Sequence, residues 1–247
     1  MSVMIVTGGS RGIGAATAIL AASQGYSVVV NYRENAQAAR QVVDEIAGNG
    51  GHAAFLSGDV GVEADVLRLF AFTASEFGPV TALVNNAGIL EHQNRLEDMS
   101  VERFTRVLRT NVVGSLLCAR EAVKVMSTRN GGIGGSIVNL SSMAATLGSP
   151  DEYIDYAASK GAIDSFTVGL AKEVAEFGIR VNAVRPGVIR TEIHASGGEP
   201  ERVDRVQQSV PMRRGGTAEE VANAIMWLVS DNASYTTGAF IDVSGGR

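Results

Sequence analysis

Tyr156 and Lys160 stand four residues apart in Tyr156-Ala157-Ala158-Ser159-Lys160, so one helical turn brings an ammonium along the same face as a phenol. A cation within several ångströms favours the phenolate and lowers a phenol pKa by roughly one to three units, about 1.4 to 4 kcal/mol. This spacing predicts a Tyr156 tuned toward working pH, able to give a proton to a carbonyl oxygen or take one back from an alcohol. Tyr153 is the nearest competitor, but its own residue four positions on is Ala157.

A second chemical signature lies near the start. Thr7-Gly8-Gly9-Ser10-Arg11-Gly12-Ile13-Gly14 follows an apolar run and opens a helical stretch. There, free backbone N–H groups and the helix dipole suit a pyrophosphate. Glycine permits the tight turn, close approach of the ligand, and packing of helix on strand. The adenosine end falls at Asn31-Tyr32-Arg33. An acid there would accept from a ribose 2'-hydroxyl, whereas arginine can pair with a 2'-phosphate. Arg33 and Arg11 therefore favour NADP(H). Glu34, about 20 residues beyond the turn, has the separation of an NAD-selecting acid and keeps NAD(H) open.

These groups need elements to hold them. Short β-branched runs at Val3–Thr7, Ser27–Asn31, His52–Ser57, Ala82–Asn86, Ser136–Leu140, Arg180–Val184 and Ala239–Val243 alternate with helical patterns. The helical patterns are Gly12–Ser23, Ala36–Ala47, Glu63–Phe77, Val101–Met126, Tyr156–Phe177 and Ala218–Ser230. Such alternation predicts βαβ units around a buried parallel sheet. The fold expected is α/β: a single-domain, Rossmann-type, doubly wound sheet of about seven strands with helices on both faces, spanning 1–247. In the fifth helix, Ile163, Phe166, Leu170, Val174 and Phe177 recur at steps of three and four, a stripe that faces a core. Gly25, Gly48, Gly78 and Gly178 stand where left-handed C-terminal caps are expected.

Taken together and in order, the motifs resemble the short-chain dehydrogenase/reductase family over essentially the whole chain. They are the Thr7–Gly14 turn, Asn85-Asn86-Ala87-Gly88, Asn111, Ser142, Tyr156 with Lys160, and Pro186-Gly187. Glucose 1-dehydrogenase-like and 3-oxoacyl-carrier-protein reductase-like members are the nearest in pattern. The resemblance implies an NAD(P)-dependent oxidoreductase acting on CH–OH groups, with Tyr156 as general acid/base. By the same resemblance, Lys160 holds the nicotinamide ribose, Ser142 bonds the substrate oxygen, and Asn111 positions a water linking Lys160 to solvent. Asp59 and Val60 would touch the adenine. Asn86, Ala87 and Gly88 would border the coenzyme, and Pro186, Gly187, Val188 and Thr191 would contact the nicotinamide carboxamide. A homotetramer is also implied. One departure is that Ser142 and Tyr156 are 14 residues apart, one more than the family's usual spacing, with Ser141 alongside as the alternative.

The segment 191–214, with Gly197-Gly198 and Pro200, is expected to form a mobile substrate lid. His194 within it and His92 after the Asn-Asn-Ala-Gly loop are candidates to reach a polar substrate. With 247 residues, 45% hydrophobic, one cysteine and a net charge of -5, the chain excludes disordered, collagen-like and disulfide-stapled classes. No run approaches a membrane span, no basic stripe suits nucleic acid, and three dispersed histidines give no metal-ligand spacing. Nothing near the start resembles a signal peptide, so a cytoplasmic location is expected. Cys118 reads as a small core or interface residue. A coenzyme-binding regulator without catalysis is the competing class, and the intact Asn111, Ser142, Tyr156 and Lys160 argue against it.

Overall fold

The computed structural model describes residues 2–247. Its strands are β1 (Ser2–Val6), β2 (Tyr26–Tyr32), β3 (His52–Ser57), β4 (Ala82–Asn85), β5 (Gly135–Leu140), β6 (Ile179–Pro186) and β7 (Phe240–Val243). They form one seven-stranded sheet in the order β3-β2-β1-β4-β5-β6-β7, parallel throughout. All seven strand expectations are met, with ends displaced by at most two residues. The chain order reverses between β1 and β4, and a doubly wound sheet opens its ligand crevice at that switch point, beyond the carboxyl ends of the strands.

Alternation along each strand explains the two-sided core. Met4 and Val6 of β1, with Val28 and Val30 of β2, pack on one face beneath the helices α1 (Gly12–Ser23) and α2 (Ala36–Gly48). Ile5 and Val29 point the other way, into a cluster with Leu69 of α3 (Glu63–Phe77). All six strand residues are fully buried, which is why the two runs read as continuously apolar. The second face also takes α5 (Gly114–Met126) through Cys118, Ala119 and Ala122. Burial pushes the Cys118 thiol up to about 12, so it is an inert packing group.

The helix expected over 101–126 is interrupted. It divides into α4 (Val101–Leu108), a π-helical stretch (Arg109–Val113), and α5. The extra residue in that stretch re-aims Asn111, a feature that apolar periodicity cannot reveal. After α6 (Ala144–Leu147), helix α7 (Ile154–Val174) starts two residues before Tyr156 and lays its stripe on the second face, where Ile163 and Val174 are buried. Two short helices, α8 (Ile193–Ser196) and α9 (Arg202–Val206), and finally α10 (Ala218–Val229) complete the chain, α10 packing beside α1.

Two cap assignments need correction. Gly48 is the last residue of α2, and it is Gly50 that takes positive φ (78°), because Asn49 extends the helix end by one residue. Gly78 has φ 96° with ψ -166°, outside the left-handed helical region. Among the described residues, no helix is long and apolar enough to cross a membrane.

Candidate active site

The turn after β1 is held from behind by the loop after β4. Asn86 Nδ2 donates to the carbonyls of Thr7 (2.9 Å) and Gly8 (3.0 Å), and Thr7 Oγ1 accepts from the Asn86 and Ala87 N–H groups. A Cβ on Gly14 would lie 2.4 Å from the Gly8 carbonyl oxygen and 2.5 Å from Asn86 Nδ2, so only glycine lets α1 start here. Gly8 itself has φ +60°. Arg11 caps α1 without a side-chain hydrogen bond, and the first turn carries no acid. The N-terminus of a 12-residue helix thus faces a groove with its first-turn N–H groups unclaimed by side chains.

That groove, about 270 Å³, collects fourteen of the residues expected to bind the coenzyme: Gly8, Ser10, Arg11, Gly12, Ile13, Asn31, Tyr32, Arg33, Asp59, Val60, Asn86, Ala87, Gly88 and Thr191. Gly14 does not line it, since it lies behind the turn and acts by its lack of a side chain. Asn31 ties the same turn to the loop after β3, its Oδ1 accepting from Gly8 N at 3.5 Å and its Nδ2 donating to Gly58 O at 3.0 Å. Asp59 Oδ1 accepts from Gly61 N at 2.9 Å and shapes the loop beyond β3. Arg33 and Glu34 both border the groove just past the end of β2, and Arg33 Nε donates to Glu34 Oε1 at 2.8 Å. The acid that keeps NAD(H) open is therefore in direct contact with the arginine.

A larger cavity of about 500 Å³ continues from this groove, sharing Ile13, Asn86, Gly88, Thr191 and Ile193 with it. Ser142, Tyr156, Lys160, Pro186, Gly187 and Val188 all line it. Lys160 Nζ donates to the Leu140 carbonyl at 2.5 Å and lies 5.5 Å from the Tyr156 ring centre. Ser141 is turned away, its hydroxyl donating to Lys160 O in the core, whereas Ser142 lines the cavity, its Oγ accepting from Ala144 N at 3.1 Å. Between the two serines, the geometry favours Ser142. Between Ser142 and Tyr156 the chain turns after α6, where Gly148, Ser149 and Asp151 have positive φ.

The electrostatics differ from the sequence expectation. Burial pushes the Tyr156 phenol up to about 12, with the nearby Ser142 hydroxyl opposing it, and no lowering by Lys160 is resolved. Burial pulls Lys160 down to about 8, against the raising influence of Asp164. Desolvation of both groups outweighs the attraction that a four-residue spacing alone predicts. At neutral pH, the phenol keeps its proton.

Asn111 is buried beneath Gly88 and does not reach the cavity. Its Oδ1 accepts from Ile89 N (2.8 Å), and its Nδ2 donates to Ile89 O (3.1 Å) and Ser159 Oγ (3.1 Å). Both amide hydrogens are spent clamping α7 to the loop after β4. The side chain consequently has no donor left for the expected water. Another anchor had no local signal: Arg103 forms a two-pronged buried ion pair with Asp155 (2.7 and 3.0 Å), fixing the turn that carries Tyr156.

The outer wall was also missed. Tyr153, set aside as a competitor to Tyr156, lines the cavity together with Leu147, Glu152, Arg202 and Arg247. His194 lines it too, and His92 does not. His92 instead packs against Gly198. Arg202 pairs with Glu152 (2.5 Å) and Glu199 (3.0 Å), joining the 191–214 segment to the turn before α7.

A dinucleotide suits the paired cavities. The unclaimed helix N-terminus and the glycine surface accommodate a pyrophosphate, and the 500 Å³ chamber beside Tyr156 can take the nicotinamide end with a substrate. Comparison with known proteins agrees. The family model described as Enoyl-(Acyl carrier protein) reductase matches residues 8–247. The chain is 59% identical to the uncharacterized oxidoreductase YgfF of Escherichia coli (strain K12), covering 100% of both chains. It is 38% identical to glucose 1-dehydrogenase 2 of Bacillus subtilis (strain 168), covering 98% of this chain and 93% of the relative. A crystal structure of a short-chain type dehydrogenase/reductase from Mycobacterium marinum superposes with a TM-score of 0.93 at 34% identity, covering 99% of this chain and 94% of that one. Fold, motif order and relatives converge: the chain belongs to the short-chain dehydrogenase/reductase family and is an oxidoreductase of the NAD(P)-using kind.

Proposed function

We propose that this enzyme interconverts a carbonyl compound and the corresponding secondary alcohol, with NADP(H) as the preferred coenzyme and Tyr156 as general acid/base. The observation that carries the reading is Tyr156 lining, with Ser142 and Lys160, the larger cavity that meets the coenzyme groove at a shared junction. Bound across that junction, the nicotinamide supplies or accepts the hydride. The chain's own residues handle the oxygen. Ser142 and Tyr156 bind it, and Tyr156 delivers the proton as negative charge develops there. Lys160, charged below about pH 8, stabilises the phenolate left behind. In oxidation, the same phenolate takes the alcohol proton. Asn111 and the Arg103–Asp155 pair hold α7 so that these groups stay in register.

The whole chain acts as one coenzyme-binding and catalytic domain, with 191–214 as a lid that contributes Thr191, Ile193, His194 and Arg202 to the cavities. A purified-enzyme assay over sugars, acyl thioesters, steroids and small ketones tests the activity. Absence of coenzyme turnover across all four classes would remove the reading.

Arg11 and Arg33 support NADP(H), and Glu34 supports NAD(H) as the second reading. A 2'-phosphate would compete with Glu34 for the Arg33 guanidinium and form a charge-assisted bond stronger than a neutral one. Arg33→Ala is expected to lower kcat/KM for NADPH by about 10- to 100-fold, with a much smaller change for NADH. Equal losses with both coenzymes would show that Arg33 does not read the phosphate.

A homotetramer is part of the same proposal. Leu108, Val113 and Leu116 lie 45%, 44% and 39% exposed along α4, the π-helical stretch and α5, an apolar face on the helices through which subunits of such tetramers are expected to pack. Light scattering should return four times the chain mass, and a monomer mass would contradict it.

A further inference from the structure

Two buried polar atoms on the outer wall of the larger cavity have no hydrogen-bond partner: Tyr153 Oη and His194 Nδ1. Tyr153 is 3% exposed and His194 8%. The rest of the His194 ring is defined. Its Nε2 lies 2.9 Å from the Ile189 carbonyl, which can only accept, so Nε2 carries the proton and Nδ1 presents a bare lone pair. Burial, helped by nearby Arg202, holds the imidazole below its usual pKa, so the ring is neutral in the physiological range. His194 Nδ1 is thus an acceptor without a donor.

Tyr153 sits directly before α7, three residues from Tyr156. Gln93 lies beside its phenol, but the Gln93 amide nitrogen donates to Glu199 at 2.6 Å. The Arg202 guanidinium lies over the Tyr153 ring, 5.0 Å from its centre. That guanidinium is committed to Glu152 and Glu199, and the same two carboxylates also pair with Arg205. These two arginines and two glutamates cancel among themselves, so Arg202 offers no spare charge beside Tyr153.

Such a wall selects its ligand by hydrogen bonding. A carboxylate or phosphate would set its own lone pairs against Nδ1, and the Arg202 guanidinium beside it is already committed to two carboxylates. An ammonium would approach the Arg202 charge. A hydroxyl can meet either open position, as a donor to the imidazole or as an acceptor from the phenol. Leaving either buried group unpaired is costly, which is how a site built for a hydroxyl rejects an analogue lacking it.

We infer that Tyr153 and His194 form a recognition site for a hydroxyl on the substrate, separate from the carbonyl or carbinol carbon that reacts at Tyr156. The inference rests on the carbonyl–alcohol activity proposed above and narrows its substrate class to hydroxylated carbonyl compounds and their diols.

Matched pairs test it: hydroxycyclohexanones against cyclohexanone, and hydroxybutanones against butanone, with NADPH and NADH. The best hydroxylated member should exceed its parent at least about tenfold in kcat/KM, mainly through KM. Tyr153→Phe deletes only the hydroxyl and keeps the ring under Arg202; His194→Phe deletes the acceptor. Each should shrink the preference severalfold, with circular dichroism and coenzyme affinity serving to report an intact fold. Hydroxylated and parent ketones reduced equally well by the wild type would overturn the inference while leaving the proposed activity standing. So would a preference that survives in both variants. If no carbonyl compound oxidises either coenzyme, the activity itself fails and the inference fails with it.

Discussion

Tyr156→Phe is expected to lower the rate of carbonyl reduction by about 10²- to 10⁴-fold, the range over which a positioned proton donor contributes. The substitution removes one oxygen from a partly buried ring and leaves its volume in place, so the fold should be intact by circular dichroism and thermal melting. The phenol is pushed up to about 12, so it carries its proton at every ordinary assay pH. Loss of activity should therefore be similar at pH 6 and pH 8, as measured by steady-state coenzyme oxidation. Ser142, which lines the same cavity, can still hold a substrate oxygen but has no comparable proton to give. Retention of more than a tenth of wild-type activity would place the proton donor elsewhere.

Lys160→Met should show the second large effect. The side chain lengths are similar, but the variant lacks the charge that stabilises a phenolate, and kcat/KM should fall by about 10²-fold or more. The same substitution has a stability signature. Burial sets Lys160 to about 8 in the folded protein, below its ordinary 10.5. Between those values the unfolded chain binds the extra proton and the native state does not, so stability rises with pH across that window. A shift of this size corresponds to about 3 kcal/mol at most, all of it a penalty present below pH 8 and relieved by pH 10.5. Tyr156 acts oppositely at higher pH, losing stability from its ordinary 10.0 to about 12. The wild-type melting temperature should thus gain between pH 8 and pH 10 relative to Lys160→Met, whose profile lacks this rise. Parallel profiles would mean that Lys160 is not desolvated as its surroundings indicate.

Much of the fold was legible because its signals are local. Continuous apolar runs mark strands covered on both faces, and Val3–Val6 and Val28–Val30 are fully buried. The Thr7–Gly14 turn was readable for the same reason, since the steric demand falls on consecutive residues. Illegible features depend on partners distant in sequence. Arg103 meets Asp155 across 52 residues, and Arg202 meets Glu152 across 50, with no spacing rule to connect them. The π-helical stretch at Asn111 is a one-residue departure hidden within a helical pattern. The Tyr156–Lys160 spacing revealed proximity correctly and its electrostatic outcome incorrectly, because burial is a property of the surrounding fold. Tyr153 shows a similar limit: judged by its i+4 neighbour it is unremarkable, yet the turn after α6 brings it to the cavity wall.

The central claim, hydride transfer coupled to a proton from Tyr156, is tested most directly by isotope tracing. Reduction of a carbonyl substrate with coenzyme deuterated at nicotinamide C4, on each ring face in turn, should place deuterium on the carbinol carbon from one face. Tyr156→Phe should slow that transfer at least 10²-fold in a single turnover. Coenzyme oxidation without deuterium in the alcohol from either face, or label transfer at the wild-type rate in Tyr156→Phe, would contradict it.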